Sequence, residues 1–145
     1  MTWRRCLGAG LFLLTGALAQ RTPATTAPHI AYMLDCQGCH RAQGEGVPGK
    51  VPDMRPSLAF LAAIAAGRRY LVQVPGAAQA PLSDAALARL LNWMVWHLSA
   101  VAVSKTVRPF TAKEVAAYRK TPLTDVAAVR RRLLAEIRLQ KPRRR

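Results

Sequence analysis

Cysteine is scarce, with 3 in 145 residues, which excludes a disulfide-dense scaffold. Aromatic residues make up only 6% of the chain and carry no RNA-binding signature, so any contact with nucleic acid would rest on charge alone. Acidic residues number 7 against 22 Lys and Arg, a formal net charge of +15. No apolar run reaches the roughly 18 residues that a membrane-spanning helix needs. Strand-like and helix-like segments do not alternate, and there is no internal repeat. Apolar side chains are abundant at 51%, enough for one modest core and too many for a wholly disordered chain.

Residues 1–20 have the pattern of an export signal. Arg4 and Arg5 are followed by an apolar, small-residue stretch, and Ala17-Leu18-Ala19 before Gln20 fits the small-x-small cleavage rule. Cleavage there would remove Cys6, which does not stand where a lipid-attachment cysteine would. It would leave a net charge of +13, with Cys36 and Cys39 as the remaining cysteines. An exported, periplasmic protein rarely meets its genome, so no nucleic-acid partner is expected despite the basic charge.

The rest of the chain reads as all-α. A polar, proline-bearing leader over residues 20–28 precedes a helix that starts near Pro28 and runs through Ile30, Met33 and Leu34 to Cys36. Residues 41–56 hold Gly44, Gly46, Pro48, Gly49, Pro52 and Pro56 and read as an irregular loop. Ser57 can cap a helix with Leu58, Leu61 and Ile64 on one face, ended by Gly67. Residues 69–74 are ambiguous, and Pro75-Gly76 breaks them. Ser83 and Asp84 open the clearest element, whose Leu87, Leu90, Leu91, Met94 and Leu98 form a continuous apolar stripe. Thr111 to Glu114 is a capping box, with Phe110 placed before it as a candidate staple. Thr124 and Asp125 introduce a last helix with Val126, Val129, Leu133, Leu134 and Ile137.

Cys36-Gln37-Gly38-Cys39-His40 is the informative motif. Two thiols at this spacing can each add to one vinyl group of a haem, and the adjacent imidazole can then ligate the iron. Gly38 lets the backbone pass close to the macrocycle. Three other chemistries compete. A zinc site could draw on two Cys with His29, His40 and His97, without the usual His spacing. A thioredoxin-like dithiol lacks its βαβ context, and a Cys36–Cys39 disulfide would close too small a loop to stabilise much. Cys36, Cys39 and His40 are therefore the candidate cofactor-binding residues, His40 the candidate metal ligand, and covalent haem c the expected cofactor, one per chain.

With these residues in view, the chain resembles the small class I, single-haem c-type cytochromes. Tyr32-Met33-Leu34-Asp35 leads into the C-x-x-C-H motif. Gly49-Lys50-Val51-Pro52-Asp53-Met54 is similar to the family's Gly-x-x-Gly-Pro-x-Leu segment. Leu82-Ser83-Asp84 then opens a helix bearing Trp93, as in the family's Leu-Ser-Asp and Tyr/Trp pattern. The match covers about residues 28–99. It implies a helical haem domain over residues 21–99, whose first and last helices cross with Tyr32 against Trp93; the capping and charge pattern of the sequence itself adds a basic helical extension over 100–145. It also implies a non-enzymatic carrier that moves electrons between redox partners such as a dehydrogenase, another cytochrome or an oxidase. Tyr70-Leu-Val-Gln-Val-Pro-Gly and Asn92-Trp93-Met94 are similar to phrases in cytochromes that serve periplasmic dehydrogenases.

One departure stands out. Where the family places its distal methionine, this sequence reads Val74-Pro75-Gly76, and valine cannot ligate iron. Met94, Met54, Met33 and His97 are the remaining candidates, with Met94 favoured because it falls on the terminal-helix stripe. Without any of them the iron is five-coordinate, which would suit small-ligand binding or peroxidase-like activity, although the nearest polar side chains, Gln73 and Gln79, form no acid–base pair.

Residues 105–145 carry 13 basic and 3 acidic side chains. Arg130-Arg131-Arg132, Arg138 and the basic residues of 141–145 are dense enough to dock an acidic redox partner or an anionic membrane surface. They could equally form a solvated tail. The apolar residues of the same helix need a partner surface, either the haem domain or another protein.

Overall fold

The computed structural model describes residues 26–140. The export-signal reading of residues 1–20 and the basic end at 141–145 lie outside that range. The described chain is helical, and its only β-type pairing among the described residues is an isolated bridge between Val47 and Val51.

Helix α1 spans Pro28–Asp35, with the proline in its first turn, where its fixed φ is pre-organised and its missing N–H costs nothing. It buries Ala31 and Tyr32. Cys36 closes it through an N–H bond to the Tyr32 carbonyl, and one further turn, α2 (Gln37–His40), carries the rest of the motif. Arg41 leaves that turn at φ 59. The loop to residue 56 is irregular, as its glycines and prolines imply. Gly46 sits at φ 68, where an added Cβ would collide with the Val51 carbonyl and the Pro52 backbone, so only glycine fits there.

Two expectations are corrected in the next segment. Ser57 occupies the N-cap position of α3 (Leu58–Ala63) without capping it by a side-chain bond; its hydroxyl donates instead to the Met54 carbonyl. The helix does not run to Gly67. It breaks at Ile64, which is extended at φ −115 and ψ 144, and a second helix, α4 (Ala65–Gln73), contains Gly67 and the ambiguous stretch after it. Gly67 serves close approach rather than termination, since a Cβ there would strike the Leu61 backbone. Pro75 then ends α4 and starts the one-turn α5 (Pro75–Ala78).

Helix α6 (Asp84–Leu98) is capped by Ser83, whose Oγ accepts the Ala86 N–H, and it buries Leu87, Leu90, Leu91, Met94 and Leu98 as the periodicity requires. It crosses α1 with the Tyr32 and Trp93 rings 5.5 Å apart and tilted by 45°, a favourable aromatic geometry. Helix α7 (Ala112–Tyr118) is capped by Thr111, and the Asp125 carboxylate caps α8 (Val126–Gln140) through the Ala128 N–H.

The main core gathers Tyr32, Leu58, Val72, Leu87 and Leu90 with Val107, Phe110 and Val115 from beyond α6. A second cluster joins Leu61 and Tyr70 to Leu133 and Ile137 of α8. The apolar face of α8 therefore packs on α3 and α4.

Arg68 ties α4 to the segment that follows α6. It is 5% exposed. Its Nε and Nη2 donate to the two Glu114 carboxylate oxygens at 2.7 and 2.6 Å, and its remaining N–H groups reach the carbonyls of Ala62, Arg108 and Pro109. Its guanidinium also lies 4.0 Å over the Phe110 ring. Glu114→Ala strips a buried cation of its counter-charge and is expected to cost about 3 kcal/mol at neutral pH. Arg68 holds the Glu114 carboxyl below its ordinary value of 4.5. The pair's contribution is thus full above that value and is lost as pH falls through the lower folded-state value. Denaturant unfolding of both forms from pH 7 into the acid range checks this; a gap that stays constant with pH would refute it.

Candidate functional site

The Cys36–His40 turn opens onto a cavity of about 250 Å³. Its walls come from across the fold: Pro52 and Met54 of the loop, Leu58 and Leu61 of α3, Tyr70 and Leu71 of α4, Val74 and Ala77, Leu90 and Met94 of α6, and Val126 and Arg130 of α8. Most of these side chains are apolar. The sequence motif and the terminal-helix stripe, more than 40 positions apart in the chain, thus face one space.

Tyr32 sets the motif against it. Its buried hydroxyl donates to the Arg41 carbonyl at 2.6 Å, just past the turn, while its own carbonyl accepts the Cys36 N–H. Burial, aided by the nearby Cys36 and Glu45 charges, pushes the Tyr32 phenol up to about 12, so it stays a donor across the physiological range.

Cys36 is half-buried and Cys39 exposed, both as free thiols. Burial, then the adjacent Asp35 and Cys39, pushes the Cys36 thiol up to about 11. Redox-active dithiols require the opposite shift, so the thioredoxin-like alternative loses support. The zinc alternative does too, because no cluster of three or more His, Cys, Asp and Glu able to hold a metal occurs among the described residues. Burial, with a smaller push from the Arg130 charge, lowers His40 below the ordinary imidazole range, leaving the ring neutral near pH 7. The Pro52 backbone opposes that shift without completing a hydrogen bond, and His40 Nδ1 is buried with no partner. Two thiols and a neutral imidazole at the edge of an apolar cavity could hold a flat apolar group by thioether bonds and a nitrogen–iron bond.

Comparison with known proteins agrees with that chemistry. The chain is 31% identical over 142 residues to a cytochrome c-552 of Thermus thermophilus, an alignment covering 84% of this chain and 93% of that protein. It is also 31% identical over 118 residues to a second cytochrome c-552 of Thermus thermophilus, covering 68% and 90% respectively. The chain belongs to the single-haem c-type cytochromes. No protein-family model matches it. As a c-type cytochrome it carries a covalently bound haem c and passes electrons between redox partners.

The candidate distal ligands of this cytochrome separate in space. Met94 and Met54 both line the cavity. Met54 packs against Gly44, where an added Cβ would lie 2.9 Å from its Cγ, so it belongs to the loop that follows His40. Met33 is exposed. His97 stacks on Trp93 at 5.1 Å, with its Nδ1 against the Trp93 carbonyl, away from the cavity lining. Gln73 donates to the Thr121 hydroxyl, and Gln79 is exposed at the end of α5.

Two features of the cavity wall are not evident from the sequence pattern. Arg130 belongs to the basic run by composition, yet it stands in register with Val126, Leu133 and Ile137, and a cation on an apolar stripe is the available signal. Arg119 carries none. From the end of α7 it donates to the carbonyls of Ala78, Ala80 and Leu82 and to Asp84 Oδ1, at 2.8 to 3.1 Å. It thereby fastens the segment after Pro75, whose Gly76, Ala77 and Ala80 line the cavity. Arg119→Met is expected to free these carbonyls and speed amide exchange of residues 77–80 about tenfold, the loss of roughly 1.4 kcal/mol of local protection. Hydrogen-exchange mass spectrometry reads this directly; unchanged protection would show that the wall holds without Arg119.

Proposed function

We propose that this cytochrome is an exported, periplasmic electron carrier whose haem is attached through Cys36 and Cys39 and ligated by His40. The observation that carries the reading is the meeting of the Cys36–His40 turn, with its two thiols and imidazole, with a largely apolar cavity. When bound, the haem supplies a one-electron iron couple. The protein's own groups do the rest. Leu58, Leu61, Leu90 and Leu91 exclude water, which limits reorganisation on electron transfer. Tyr32 holds the turn in place, and exposed Cys39 leaves the attachment edge near the surface, where a partner can approach. The signal pattern of residues 1–20 supports export.

Met94 is the proposed distal ligand, since it faces the cavity from α6 while Met54 packs on the loop of His40. A second reading keeps the iron open, because the Val74 to Ala80 wall offers only Val, Pro, Gly, Ala and Gln side chains. In the intact protein haem is expected to survive denaturation and acid–acetone extraction, and Cys36→Ala with Cys39→Ala to abolish retention. Retained haem in that double variant would refute covalent attachment. Met94→Leu is expected to remove a methionine–iron charge-transfer band that Met54→Leu leaves intact. If neither variant changes the spectrum and carbon monoxide shifts it, the open-iron reading replaces the carrier.

The basic C-terminal segment is proposed to steer docking to an acidic redox partner or an anionic membrane surface. In α8, Arg131, Arg132 and Arg138 face outward while Leu133 and Ile137 are buried. Replacing Arg131 and Arg132 with Gln and deleting residues 141–145 should slow association about tenfold at low salt. The difference should fade near 0.15 M, where the Debye length is about 8 Å. Stopped-flow reduction by an acidic donor and pelleting with anionic vesicles, each across a salt series, test the two surfaces. Equal rates and equal pelleting at low salt would leave the tail a solubilising appendage.

A further inference from the structure

Asn92 stands in the middle of α6, and its side chain engages one residue twice. Its Oδ1 accepts the Phe110 N–H at 2.7 Å, and its Nδ2 donates to the Phe110 carbonyl at 3.0 Å. An amide that meets both backbone groups of one residue fixes direction as well as distance. Phe110 is itself immobilised. It is buried, the Arg68 guanidinium covers its ring, and Arg68 also holds the two carbonyls before it, those of Arg108 and Pro109. The segment between α6 and α7 is thus a fixed rail, and Asn92 fastens α6 to it. Among the described residues, α6 makes one other side-chain hydrogen bond to a different element, from Arg119 to Asp84 at its first position.

Met94 lies two positions further along, about 200° around the helix, on the face that lines the cavity with Leu87, Leu90 and Leu91. Burial of that apolar face is non-directional, so it sets how deeply α6 lies rather than how it is turned. A thioether is a soft, uncharged ligand on a side chain with three rotatable bonds, and it serves as a ligand only when it is held in place. We infer that Asn92 is a positioning residue for Met94. By locking one side of α6 to the Phe110 backbone, it fixes the reach of the Met94 sulfur into the cavity on the other side. This rests on the proposal that Met94 is the distal ligand. A methionine offered from a helix moves with every rotation of that helix, so the lock acts on the variable that matters. Three neighbouring residues then divide the work: Asn92 sets the rotation, Trp93 rests on Tyr32 of α1, and Met94 faces the cavity.

The test uses holoprotein with haem attached, in wild type, Asn92→Ala, Asn92→Asp, Leu133→Ala and Met94→Leu. Carbon monoxide binds the ferrous iron only after the distal sulfur leaves, so its binding rate at saturating concentration reads the release of Met94. With α6 freed from Phe110, Asn92→Ala should raise that rate about tenfold. It should also lower the midpoint potential, because methionine ligation raises it, and speed amide exchange at Phe110. Asn92→Asp keeps an acceptor for the Phe110 N–H and gives up only the donor. It should fold even where the alanine variant does not, and show a smaller acceleration. Leu133→Ala loosens α8 in the second cluster; it should lower the thermal midpoint and leave the carbon monoxide rate and the potential unchanged. Where Met94→Leu abolishes the methionine–iron band, unchanged rates and potentials in both Asn92 variants would overturn the inference alone. Equal changes in Leu133→Ala would do the same. A band that survives Met94→Leu would instead overturn the reading on which it rests.

Discussion

Tyr32 holds both ends of the Cys36–His40 turn at once. Its carbonyl accepts the Cys36 N–H at 2.9 Å, its hydroxyl donates to the Arg41 carbonyl at 2.6 Å, and its ring rests on Trp93 of α6. The motif is only a single helical turn and could not keep its shape alone, because a lone turn fixes several dihedrals for very few bonds. The α1–α6 crossing supplies the missing constraint. Every later feature of the site depends on it, since α6 also brings Leu90, Leu91 and Met94 to the cavity that the turn faces.

The strongly basic composition divides once the fold is known. Three arginines are structural or lie inside the site, and each spans a long sequence distance. Arg68 joins α4 to the segment near Glu114, Arg119 grips the carbonyls after α5, and Arg130 reaches from α8 to Ser57. Guanidinium suits this work because five donors in one plane can satisfy several buried carbonyls together. Arg131, Arg132 and Arg138, by contrast, remain in solvent. Net charge alone could not distinguish these two populations.

Several elements were legible because their signals are local. The α6 stripe, its Ser83 cap and the Thr111 cap depend on spacing within a few residues, and each appears where periodicity and capping chemistry put it. The resemblance added the α1–α6 crossing. The α3–α4 break was not legible. Gly67 reads as a terminator by composition, yet it sits inside α4 because the Leu61 backbone needs the space of its missing side chain. Ser57 likewise reads as a cap, but the Met54 carbonyl claims its hydroxyl. In both places a contact beyond the local window outweighs the local preference.

The chemistry of this protein is written in short stretches of its chain. Two thiols and an imidazole at fixed spacing, an all-α pattern, and a cytochrome-like order of segments are properties of neighbouring residues and survive without coordinates. What surrounds that chemistry emerges with the packed fold: which methionines reach the cavity, where α8 packs, and which cations turn inward. Those outcomes depend on side chains tens of residues apart competing for the same apolar space and the same carbonyls, and no spacing rule along the chain encodes that competition.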